Sequence, residues 1–102
     1  MNLNNDGIRV VIKREGDQYV AQCLEVDIGA QAPDVETLRT RLEMTLRAEF
    51  AARNGTFEDP FPGIDPAPQY FQDIWEKCNF RAEPTPVAGV DHGTTIQMAM
   101  CA

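Results

Sequence analysis

Few residues in this 102-residue sequence are of a type that does chemistry, and a pair of carboxylates comes first. Glu25 and Asp27 stand two apart in Glu25-Val26-Asp27-Ile28, which alternates polar and apolar residues. On a strand both would project from one face. Such a pair can hold Mg²⁺ oxygens in a metal-dependent nuclease. A nuclease cluster needs a further carboxylate from a neighbouring strand, and the segment Ile8 to Arg14 has none. Glu25 and Asp27 therefore read as solvent-face residues flanking inward Val26 and Ile28. The single histidine, His92, lies in Gly-Val-Asp-His-Gly with no element to hold it, and reads as a surface-loop residue rather than a general base. Cys23, Cys78 and Cys101 lack the spacing of a zinc site. Neither a GxGxxG run nor a P-loop is present. The expectation is a chain that is not an enzyme, with no catalytic residue, no cofactor and no metal.

The aromatics offer binding instead of catalysis. Six of the eight lie between Phe57 and Phe80, in an acidic and proline-rich stretch. Two readings stand side by side. One is a satellite cluster closing over a sheet. The other is a partner-binding patch of Phe57, Phe61, Tyr70, Phe71 and Trp75, since aromatic side chains are frequent hot spots.

The elements that must position these residues come from periodicity. Ile8, Val10 and Ile12 alternate with Arg9, Val11 and Lys13, which predicts a strand. Glu15-Gly16-Asp17 is a turn, and Tyr19 to Leu24 returns as the second arm of a hairpin. Glu25 to Gln31 reads as a third strand, bent near Asp27 to Gly29. Asp34 is a suitable N-cap for a helix over Val35 to Arg53, with Val35, Leu38, Leu42, Leu46 and Phe50 on one stripe and Asn54-Gly55 as its stop. Six of the seven prolines fall between Pro60 and Pro86. Within that region Pro68 opens a short helix, about 68–78, and Arg81 to Gly93 reads as loop. Thr95 to Cys101 alternates again as a final strand. The fold class is α+β, a three-stranded antiparallel meander on one long helix. The chain reads as a single domain: a core over 8–53, a proline-rich and aromatic insertion over 55–93, and a last strand over 94–101. One helix covers one sheet face, so the other face needs a cover of its own.

The run from Gln18 through Cys23-Leu24-Glu25-Val26-Asp27 to Gln31-Ala32-Pro33-Asp34, with the helix after it, resembles the HicB-like antitoxin family. The family typically shows a Tyr-Val-Ala strand, a Cys-x-Glu-x-Asp type segment, and a Gln-Gly-x-Thr turn into a helix. Here Ala32 stands in the glycine position and Asp34 takes the capping role. The resemblance covers residues 8–53. It implies a partial ribonuclease-H-like β-β-β-α-β fold without the nuclease carboxylates, its fourth strand parallel beside the first. It also implies a function: binding and neutralising a small basic RNase toxin. Many members add a DNA-binding module, whereas residues 82–102 contain no Lys or Arg, so direct DNA binding is not expected.

Composition agrees with that class. The net charge is −7, from 9 basic and 16 acidic residues, which disfavours phosphate neutralisation and suits a basic protein partner. Residues 55–102 hold seven acids against Lys77 and Arg81. No apolar run is long enough to span a bilayer, and the N-terminus lacks a signal peptide's apolar stretch. An odd cysteine count without paired spacing reads as unpaired thiols, hence a cytoplasmic protein. A small core also suggests a homodimer or other homo-oligomer. The alternative to an antitoxin is an orphan homo-oligomeric regulatory or ligand-binding module.

Overall fold

The computed structural model describes residues 7–56, 58–78, 80–87, 90 and 94–101. Its α+β fold begins with the expected hairpin. Strand β1 (Ile8–Glu15) pairs antiparallel with β2 (Gln18–Cys23), from Val10 opposite Cys23 to Glu15 opposite Gln18. That register leaves a two-residue loop, with Gly16 at φ 62° in its first position. A type II′ hairpin turn requires this left-handed conformation, which glycine adopts without steric cost. Strand β3 (Gly29–Ala32) pairs antiparallel with β2. It is shorter than the expected third strand, because residues 24–28 form a bend instead. The bend is closed by Cys23 N–H donating to Ile28 O at 2.9 Å and by Leu24 N–H donating to Arg9 O at 2.9 Å.

Helix α1 (Val35–Ala52) follows. The Asp34 carboxylate accepts from Thr37 N–H at 2.7 Å and from the Thr37 hydroxyl at 3.0 Å. At the other end Asn54 takes φ 54°. Gly55 N–H bonds Phe50 O and Asn54 N–H bonds Ala51 O, the paired bonds of a Schellman stop. A side chain at Gly55 would run into the Pro60 carbonyl and the Phe50 ring, so glycine is required by close approach. Leu38, Leu42 and Leu46 are fully buried, each contributing about 1.5–3 kcal/mol of burial. Phe50 packs edge-on against Phe61, 6.4 Å between centroids. Val35, expected on the same stripe, is 37% exposed at the first position of the helix.

The expected final strand, β6 (Thr95–Cys101), lies parallel beside β1, from Ile8 opposite Ile96 to Lys13 opposite Cys101. The short second helix is α2 (Gln69–Lys77). The segment after it, expected as loop, contains two short strands. Both β4 (Phe80–Arg81) and β5 (Thr85–Pro86) pair antiparallel with β6, giving the order β3-β2-β1-β6-β4 with β5 beside β6 as well. Two residues per strand carry no readable alternation. Pro86 is tolerated because an edge strand needs no donor on its outer side.

The face of Ile8, Val10, Ile12, Ala21, Cys23 and Ile96 packs under α1 together with Phe61, Val87 and Val90. The opposite face packs under α2. The proline-rich segment carries the chain from one face to the other. It passes the bend after β2, where Asp27 N–H donates to Asp65 O at 2.7 Å and Ala67 N–H donates to Leu24 O at 2.9 Å. Prolines serve such a crossing, since they fix extended backbone and leave few donors to satisfy.

The reading of three unpaired cysteines is corrected. Cys78, at the C-cap of α2, and Cys101, the last residue of β6, form a disulfide with Cα atoms 5.2 Å apart. Only the topology brings them together, because their separation of 23 residues carries no recognisable spacing. A loop of that size stabilises by about 3 kcal/mol in chain-entropy terms. Cys23 is the free thiol; it is buried as a small hydrophobe, and burial, with Glu25 nearby, pushes its pKa up. Among the described residues no helix is long and apolar enough to cross a membrane.

Leu42→Ala should lower unfolding free energy by about 2–5 kcal/mol, whereas Val35→Ala should cost less than about 1 kcal/mol, both read by urea denaturation. The Thr37 N–H and hydroxyl hold the Asp34 carboxyl below its ordinary range. A pKa depressed by folding stabilises fully above the unfolded value, about 4, and loses that contribution as pH falls through the folded value. Asp34→Asn keeps a cap but not the charge, so the acid limb of Tm against pH should flatten.

Candidate functional site

Glu25, the first candidate ligand, is committed to a structural role. Its Oε1 accepts from Arg9 N–H at 2.7 Å and its Oε2 from Arg9 Nε at 2.6 Å. One carboxylate thus ties the bend after β2 to the start of β1, with both side chains largely covered. Asp27 accepts from Gln22 Nε2 at 2.9 Å. Among the described residues no three His, Cys, Asp or Glu side chains gather at metal-binding distance. His92 lies outside the described residues.

The face of the sheet opposite α1 holds the larger share of the aromatic chemistry. Phe71, Ile74, Trp75 and Cys78 recur at i, i+3, i+4 and i+7 and form one side of α2. They pack on Val11, Leu24, Ala99 and Cys101. Trp75 is 4% exposed. The Arg81 guanidinium stands 4.6 Å from its ring centroid and that of Arg9 5.8 Å, while Arg81 also donates to Trp75 O at 2.9 Å. Two cation–π contacts of this kind contribute about 0.5–2 kcal/mol each. They also explain why Arg9 and Arg81 sit beside an apolar cluster: each guanidinium closes its rim.

Alongside the N-terminal half of α2 the cover is incomplete. There a groove of about 100 Å³ is lined by apolar Val11, Val20, Phe71 and Ile74. Lys13 and Tyr70 meet at the groove, Lys13 Nζ donating to Tyr70 Oη at 3.1 Å and lying over its ring. The Tyr70 oxygen holds the Lys13 pKa above its ordinary value.

The five aromatics singled out from the sequence do not form one surface. Phe61 is fully buried in the core under α1. Trp75 is buried and Phe71 half-buried on the opposite face. Tyr70 is 56% exposed and touches Phe71 edge-on. Phe57 lies outside the described residues. Sequence reasoning missed Phe80 and Met100, which face each other across β4 and β6 and are both exposed. No protein-family model matches this chain, nor does any curated protein or solved structure.

Trp75→Ala should destabilise by about 3–5 kcal/mol and Tyr70→Ala by less than about 1 kcal/mol in denaturant titrations. Equal costs would mean that α2 does not seal this face as described.

Proposed function

We propose that this chain is a non-enzymatic protein-binding domain of the HicB-like kind, which binds and neutralises a small basic RNase toxin. The observation that carries the reading is the arrangement β-β-β-α followed by a strand parallel to the first, which is what the resemblance over residues 8–53 implies. The net charge of −7 supports it, since an acidic surface steers a basic partner. So does Arg9, whose backbone and side chain occupy the Glu25 carboxylate where a nuclease would hold a metal. The tested assembly is the tagged chain co-expressed with the protein encoded beside its gene. A stable complex with a small basic protein, weakening as salt rises and suppressing its RNase activity, is the expected result.

The exposed Phe80–Met100 pair favours a second reading, a homo-oligomeric regulatory module with no toxin. In the same co-expression this reading gives the chain alone, at a mass that is a multiple of its own. That result contradicts the antitoxin proposal. Replacing Phe80 with Ser then shifts the mass toward the monomer.

A further inference from the structure

The cover over the second sheet face is held differently from the rest of the molecule. Among the described residues the core under α1 runs across β1, β2, β3 and β6 and contains fifteen buried residues. The one under α2 contains four of the described residues: Val11, Leu24, Trp75 and Ala99. A helix of nine residues with no side-chain N-cap bond does not persist on its own. Its C-terminal end is fixed to β6 by the Cys78–Cys101 disulfide, and both cysteines are half-buried rather than enclosed in the core. Beside its N-terminal half the groove lined by Val20, Phe71 and Ile74 interrupts the cover of the same face.

We propose that the Cys78–Cys101 disulfide is a redox latch on α2, closed when oxidised and released by a dithiol reductant. In the reducing direction the dithiol attacks one sulfur of the bridge, passes through a mixed disulfide and leaves as its own cyclic disulfide. Two electrons and two protons thereby reach Cys78 and Cys101, which become thiols. The 23-residue closure is lost, and α2 is left to the packing of Phe71, Ile74 and Trp75 on the small cluster, the guanidinium contacts on Trp75, and the hydrogen bonds from Arg81 to Trp75 O and from Lys13 to Tyr70. Local opening then exposes Val11, Leu24 and Ala99 as one apolar strip continuous with the groove, while the core under α1 stays closed. The latch gates how much apolar surface the second face presents, whatever partner the domain engages.

Trp75 is the only tryptophan of the chain and lies under the latch, so its fluorescence reports the cover directly. The protein is oxidised with glutathione disulfide and compared with the same protein held in dithiothreitol. Thiols are counted after denaturation. One thiol in the oxidised sample and three in the reduced one are expected. Acrylamide quenching of Trp75 should rise roughly threefold or more on reduction, with a red-shifted emission. Far-UV circular dichroism and a cooperative unfolding transition should persist, and the double variant Cys78→Ser, Cys101→Ser should behave as the reduced protein in either buffer. Three thiols after oxidation would overturn the proposal. Quenching unchanged by reduction would do so too, as would loss of the cooperative transition on reduction, which would make the bridge a requirement of the whole fold.

Discussion

The parallel pairing of β1 with β6 is the contact on which the rest of the structure depends. It places the first and last strands of the described chain side by side in the middle of the sheet. Parallel neighbours cannot be joined by a tight turn, so the chain must travel from one end of the sheet to the other between β1 and β6, and it does so through α1 and α2. Two central strands are also covered on both faces, which demands apolar residues on both sides: Ile8, Val10, Ile12 and Ile96 toward α1, Val11 and Ala99 toward α2. The 42 residues between α1 and β6, 53–94, include the cover of the second face, since α1 itself already seals the first.

The proline-rich segment makes sense in that setting. It buries Phe61 against Phe50 on the first face, crosses at Asp65 to Ala67 with two backbone bonds to the bend after β2, and delivers α2 to the second face. Residues 80–86 then run back along β6 as a broken edge. Pro84 and Pro86 in this edge, together with Glu83, discourage a further strand from adding to it. The same stretch that looks irregular in sequence therefore supplies a core residue, a crossover, a cover and an edge guard. Binding at the second face, or its regulation by Cys78 and Cys101, would act on the smaller of the two cores.

Strong periodicity made much of this legible. The alternation of Ile8 to Lys13, the Asp34 cap and the Leu38-Leu42-Leu46 stripe each specify an element and its buried face without help from tertiary contacts. The final strand was readable for the same reason. The two-residue strands β4 and β5 were not, because pairing to β6 alone defines them. The disulfide was hidden similarly: Cys78 ends a helix, Cys101 ends a strand, and only the parallel register brings those ends together. The aromatic patch was the least legible. Composition grouped Phe61 with Trp75, but the crossing at Asp65 puts them on opposite faces of the sheet. The i, i+3, i+4, i+7 spacing of Phe71, Ile74, Trp75 and Cys78 was the signal that α2 turns Phe71 and Trp75 inward and leaves Tyr70 outside.

Hydrogen exchange on the intact chain tests the central claim most directly, because it asks whether β6 is an integral strand or an appendage. The hydrogen-bonded amides of β1 and β6 should share the slowest exchange class and open only with global unfolding, in step with the buried face of α1. Exchange of β6 amides well ahead of β1, with β1, β2 and α1 still protected, would contradict the account.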